Sequence, residues 1–154
     1  MTEISIVPMT AAHIDAIYEI ELESFTAPWP KDAFPELMEN PVATFITAIS
    51  NDDTIVGFAA MYTIADEAQI LNIAVTPNAR NNGIGAKLLA DLIDTATKRG
   101  ATSIYLEVRE SNTAAQSLYK KQNFTPIGKR KNYYQSPTEN AIVMGRTRNA
   151  KGSF

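Results

Sequence analysis

Apolar residues recur along the chain at two periods. Ile84, Leu88, Leu89, Leu92, Ile93 and Ala96 form one stripe at the helical repeat, and Gly100 stands where such a helix would end. The spacing predicts a helix over 84–99, with Asp94 and Lys98 paired four apart on its outer face. Ile14, Ile17, Tyr18 and Glu21 predict another over 11–24, with Thr10 as its cap. Pro30 suits the first turn of a short helix over 30–39, and Asn112 the cap of one over 113–122. Short runs rich in Ile, Val, Thr and aromatic residues, bounded by polar turns, predict strands at 3–8, 43–50, 54–64, 67–76, 102–108, 123–134 and 138–146. Tight turns at Asn51-Asp52-Asp53 and Asp66-Glu67 make the second to fourth strands an antiparallel meander. The order β-α-α-β-β-β-α-β-α-β-β describes an α/β (α+β) protein: a mixed, largely antiparallel sheet with helices on both faces.

Length and composition narrow the function. A chain of 154 residues suits one domain, and folding it would bury roughly 16,000–17,000 Å² of surface. With 45% apolar and 20% charged residues it is neither disordered nor exceptional. Cysteine is absent, which excludes disulfides, a thiolate nucleophile and thiolate metal sites. A single histidine, His13, argues against a histidine metal cluster and a Ser-His-Asp triad, and no metal is expected. No run of 18 apolar residues is present, and the start MTEISIVPM lacks the pattern of a signal peptide, so a cytoplasmic address is expected.

The net charge of −3 hides an asymmetry. Residues 1–53 carry ten acidic groups and one base, a net of −9; residues 54–154 carry seven and thirteen, a net of +6. Two solvated faces would explain this. So would an acidic region for a cationic partner and a basic one for an anion. The overall acidity argues against general binding of nucleic acid, and the run Lys129-Arg130-Lys131 reads as solvated or as an RNA contact.

Between the strand 67–76 and the helix 84–99 lies Arg80-Asn81-Asn82-Gly83-Ile84-Gly85-Ala86. Glycines at a strand-to-helix junction bring backbone N–H groups close to a ligand, and the helix N-terminus favours a phosphate. The P-loop string is absent. A dinucleotide fingerprint would need a third glycine where Leu88 stands, inside a β-α-β unit that the meander does not form.

Entered from ILNIAV, this R-x-x-G-x-G loop resembles the pyrophosphate loop of the GCN5-related N-acetyltransferase (GNAT) superfamily. The segments ESFTAPW, DEAQILNIAV, RNNGIGAKLLADLI, YLEVRESNTAAQSLYKKQNF, GKRKNYY and ENAIVM follow in the order and near the spacing of its RimI-type branch. That branch acetylates the N-terminal alanine of a small-subunit ribosomal protein. The resemblance implies a GNAT domain over 1–147, a short tail at 148–154, and a splayed pair of strands that admits acetyl-CoA. Asn81 and Asn82 depart from a common glycine and basic residue, and Asn140 from a frequent aspartate.

The resemblance also implies roles. The backbone of Ile73, Ala74 and Val75 would face the thioester and pantetheine arm, with the Val75 N–H toward the developing oxyanion. Arg80, Asn81, Asn82, Gly83, Ile84, Gly85 and Ala86 would hold the pyrophosphate, and Asn112 would touch the cofactor while capping its helix. Glu107, which breaks the run Ile104-Tyr105-Leu106, would be the general base. Tyr119 would meet the departing sulfur. An ordinary phenol (pKa about 10) does not pass its proton downhill to a thiolate (about 8.5), so a hydrogen bond is expected unless Tyr119 is acidified. Phe25, Pro28 and Trp29, with Tyr133 and Tyr134, would wall the acceptor site. Without a cysteine no acyl-cysteine forms, which fits direct transfer in a ternary complex. The expected partners are acetyl-CoA and the N-terminal peptide of a ribosomal protein, with no membrane or nucleic acid and a monomeric enzyme. A relative acting on another N-terminus, a lysine or a small amine stays open, as does a non-catalytic acyl-CoA-binding module.

Overall fold

The computed structural model describes residues 3–148 and builds one seven-stranded sheet in the order β1-β2-β3-β4-β5-β7-β6. The strands are β1 (Ile4–Pro8), β2 (Ala43–Ser50), β3 (Ile55–Ile64), β4 (Glu67–Val75), β5 (Ser103–Arg109), β6 (Thr125–Tyr134) and β7 (Glu139–Thr147). The helices are α1 (Ile14–Ser24), α2 (Ala33–Met38), α3 (Ile84–Lys98) and α4 (Thr113–Lys121). Every neighbouring pair is antiparallel except β4 and β5. The elements run through Thr147; most of the tail expected at 148–154 lies outside the described residues.

Alternation along the central strands supplies two apolar layers. Ala59 and Met61 of β3 face the α3 side, while Phe58 and Ala60 face α1 and α2. The α3 stripe is buried at all six positions read from its spacing. Its Lys98 reaches Asp94 at 2.9 Å, as the four-residue spacing requires. On the other face Phe34 meets Phe45 and Phe58 edge-on, at 6.4 and 6.0 Å between ring centroids.

Helix starts differ from expectation in physical detail. Residues 11–13 form a 3₁₀ turn before α1, and Thr10 caps that turn in a reciprocal box with His13. Its N–H donates to Nδ1 of His13 at 3.1 Å, which gives the lone histidine a structural task. The segment after Pro30 first closes turns, with Ala33 N–H on the Pro30 carbonyl and Phe34 N–H on that of Lys31, so α2 begins only at Ala33. Asn112 does cap α4: its Oδ1 accepts from the Ala115 N–H at 3.1 Å.

The sheet divides at its one parallel pair. β4 and β5 are in register only at Glu67–Ser103, Ala68–Ile104 and Gln69–Tyr105. Beyond Gln69, β4 stays paired with β3 alone. A register shift leaves Leu71 as an extra residue between Ile70, opposite Met61, and Asn72, opposite Ala60. A bulge bends and twists its strand, which here turns β4 away from β5. Gly57 permits the close approach of β3 to the end of β4, since a Cβ there would lie 2.8 Å from the Ala74 carbonyl oxygen. No helix among the described residues is long and apolar enough to cross a membrane.

Candidate active site

The split exposes backbone donors of β4. The Thr76 N–H bonds to the Val56 carbonyl at 2.8 Å, and Gly57, Phe58 and Ala59 stand opposite Val75, Ala74 and Ile73. Donors alternate sides along a strand. The N–H groups of Ile73 and Val75 therefore point away from β3 into the split, and that of Ala74 points back to β3. The Val75 carbonyl, on the same side as its N–H, accepts from Arg80 Nε at 3.0 Å.

The loop after β4 ends with Gly83 at φ 75°, a left-handed conformation suited to glycine, and no atom lies within 4 Å of where its Cβ would be. α3 has no side-chain cap, so its first-turn donors depend on another acceptor. Asn81 also stands at a positive φ of 66°, which asparagine tolerates better than most residues. Asn82 donates to the Ala79 and Arg80 carbonyls at 3.1 and 3.4 Å, tying the loop to itself.

On the far side of the split, Glu107 is 18% exposed. Its Oε2 accepts from Gln69 Nε2 at 3.0 Å, across the last paired rung of β4 and β5, and its Oε1 lies 3.3 Å from Arg130 Nε. Tyr119 is buried against Phe124, and burial pushes its phenol up to about 12. Tyr134 is also raised to about 12, first by burial and next by the charge of Glu107, with a smaller contribution from Tyr119. These groups from β5, α4 and β6 therefore share one electrostatic neighbourhood.

Two loops frame that neighbourhood. Tyr133 and Tyr134 pack edge-on at 5.1 Å beside the β6–β7 turn. In the α1–α2 loop, Phe25, Pro28 and Trp29 are half-buried, and Trp29 packs against Phe34 and Phe45 at 5.6 and 6.2 Å. Arg109 joins the loops. Its Nη2 donates to Thr26 Oγ1 at 3.0 Å and to the Gln135 carbonyl at 2.9 Å. Its Nη1 donates to the Pro137 carbonyl at 3.0 Å and pairs with Glu139 at 3.2 Å, while the guanidinium lies 4.5 Å over the Tyr134 ring. Thr26 also donates its hydroxyl to the Gln135 carbonyl at 3.2 Å.

A family model described as the acetyltransferase (GNAT) family matches residues 14–124. The chain belongs to this family. A Haemophilus ducreyi protein named [ribosomal protein bS18]-alanine N-acetyltransferase is 39% identical, over 83% of this chain and 89% of that protein. The protein of that name from Escherichia coli K12 is 35% identical over 85% of this chain and 88% of its own. The crystal structure of the ribosomal-protein-S18-alanine N-acetyltransferase from Escherichia coli superposes with a TM-score of 0.86 at 32% identity, covering 99% of this chain and 96% of that one.

This GNAT acetyltransferase thus has the mixed sheet and splayed strand pair expected from its sequence. Three residues near the site escaped the sequence reading as site residues. Arg109 and Gln69 act through partners far away in the chain. Glu21, buried on α1, accepts from the Trp29 N–H and from Asn72 Nδ2, both at 2.8 Å. Burial raises its carboxyl above the usual range, against the lowering effect of those two donors. It ties the loop bearing Trp29 to the bulged strand. A buried acid in the apolar stripe of α1 was the signal available.

Proposed function

We propose that this enzyme transfers acetyl from acetyl-CoA to the N-terminal alanine amine of a ribosomal protein, directly within a ternary complex in the cytoplasm. The observation that carries the reading is the parting of β4 from β5 beyond Gln69, with Glu107 held to Gln69 beside it and two aromatic loops tied together by Arg109. The names of relatives at 35–39% identity support the same acceptor.

The split and the glycine loop fit acetyl-CoA. Ile73 and Val75 offer N–H groups that the sheet leaves unused, and the start of α3 offers donors beside an unobstructed Gly83. Arg80, Asn81, Asn82, Ile84, Gly85 and Ala86 complete that cradle, with Ala74 holding the strand against β3. Asn112 spends Oδ1 on its helix cap, which leaves its amide nitrogen as the group for the cofactor. Acetyl-CoA supplies the electrophilic thioester carbonyl. The Val75 N–H stabilises negative charge developing on that oxygen. Glu107 orients the acceptor ammonium and takes its proton, directly or through one water.

The demand on this base is modest. An α-amino group with pKa near 8 is about a tenth neutral at pH 7, a handicap of about 1.4 kcal/mol. A lysine amine near 10.4 would face about 4–5 kcal/mol. Tyr119, at about 12, holds its proton too tightly to surrender it to a thiolate, so it donates a hydrogen bond to the departing sulfur. Phe25, Pro28, Trp29, Tyr133 and Tyr134 wall the acceptor chain.

Thiol release from acetyl-CoA tests the reading with three amines: an Ala-starting basic peptide, its N-blocked form with an internal lysine, and spermidine. Release with the free N-terminus alone is the expected result. Equal release with spermidine or the blocked peptide would transfer the activity to another acceptor class. No release with acetyl-CoA still bound would indicate a binding module.

A further inference from the structure

The cationic run on β6 finds carboxylate partners in the fold. β6 is an edge strand, and nine of its ten residues are exposed. Lys129 Nζ lies 3.0 Å from Glu110 Oε2, with both side chains about half-exposed. The next pair is lopsided. Arg130 is 57% exposed, and its Nε lies 3.3 Å from Oε1 of Glu107, which is 18% exposed. A solvent-backed cation therefore covers the outer oxygen of the carboxylate, while Gln69 holds the inner one from within the sheet. The same guanidinium lies 5.7 Å over the ring of Tyr133. It stands between an acceptor wall and the base.

A guanidinium keeps its charge at any working pH and cannot accept a proton, so Arg130 cannot relay one from the substrate. It does occupy the charge that an acceptor ammonium needs. Resting on Glu107 as the base, we propose that Arg130 is a displaceable counter-cation, whose place on Glu107 is taken by the ammonium of the arriving peptide. The exchange is charge for charge. Its cost is small because one partner is largely in water, and pairs this exposed change an equilibrium by about fivefold at most. Arg109 contrasts with it. Four hydrogen bonds and the Tyr134 ring fix that arginine, two positions along β5 from Glu107. One arginine builds the acceptor frame, and the other yields to what enters it.

Displacement taxes acceptor binding alone. Arg130→Gln is expected to lower the KM for an Ala-starting peptide about three- to fivefold, with kcat and the acetyl-CoA KM changed less than about twofold. Arg130→Lys, which keeps the charge, is expected to stay near the parent enzyme. Lys131→Gln removes the same unit of charge one residue away and controls for bulk attraction of a basic peptide. A second readout uses Glu107→Gln protein with coenzyme A present, where calorimetry follows peptide binding without turnover. There, adding Arg130→Gln is expected to bring no further gain in affinity. An acceptor KM unchanged or raised in Arg130→Gln would overturn the proposal. An equal gain in Lys131→Gln would overturn it too, as would a gain that persists without the Glu107 carboxylate. Parent enzyme that acetylates no N-terminus defeats the functional reading before any variant is compared; active parent enzyme with an indifferent Arg130 defeats only this inference.

Discussion

Burial, rather than a neighbouring charge, sets the chemistry available to Tyr119. Its phenol is raised to about 12, so it stays protonated across the working range and the proposed role is that of a donor. Tyr119→Phe is expected to lower kcat by about tenfold while moving the acetyl-CoA KM little, and the pH profile of kcat is expected to lack a falling limb from this residue below about pH 11. A larger effect on that KM than on kcat would make Tyr119 a binding contact. Glu107→Gln is expected to cost about 10²–10⁴ in kcat, the usual contribution of a placed base. Glu21 gives a test in stability. Its carboxyl is raised in the folded state, so its stabilising contribution is complete below its ordinary pKa near 4.5 and is lost as pH rises through the raised value. The Tm deficit of Glu21→Gln is therefore expected to shrink between about pH 4 and pH 7; a deficit that widens would contradict the burial argument. Glu107 and Tyr119 are proposed as site residues because they stand in a recognisable local string. Arg109 was not legible in the sequence, because its bonds to Thr26 and Gln135 span 83 and 26 residues of sequence. Asn140 looked only like a departure. Its Oδ1 accepts from the Asn132 N–H at 2.9 Å and its Nδ2 donates to Glu110 at 3.4 Å; an aspartate would set a second carboxylate against Glu110.

Periodicity read the long elements well because one face of each is buried. α3 needs all six of its stripe positions against the sheet, and the meander strands alternate between two apolar layers. The bulge was different. ILNIAV contains no glycine, proline or charge to mark it, and Leu71 becomes the extra residue only when β4 is paired with β3. Likewise, the start of α2 depends on which carbonyls the N–H groups of Ala33 and Phe34 find. The glycine loop combines both cases: its residues were readable, and its geometry was not. Gly83→Ala is expected to cost about 1 kcal/mol through its left-handed backbone and to weaken coenzyme A binding measurably by calorimetry. Unchanged stability and affinity together would remove Gly83 from the cradle.

Across the whole molecule, charge and topology act together. The acidic 1–53 segment contributes the α1–α2 loop, and the basic remainder contributes the glycine loop and α4. A cationic acceptor and an anionic cofactor would thus meet regions of opposite sign. The KM for a basic Ala-starting peptide is expected to rise as salt increases from about 20 to about 300 mM, because screening shortens the reach of these fields. A KM indifferent to salt would leave the asymmetry a matter of solvation. The sheet provides the other global feature: one parallel pair in a largely antiparallel sheet, in register for three residues and then parted. Titrating coenzyme A into nitrogen-15-labelled protein reads this parting most directly. The amide signals of Ile73, Val75 and the loop from Gly83 to Ala86 are expected to move together, with Ala74, turned toward β3, moving less. Signals that shift only elsewhere, or none that shift at all, would contradict the binding of the cofactor between β4 and β5.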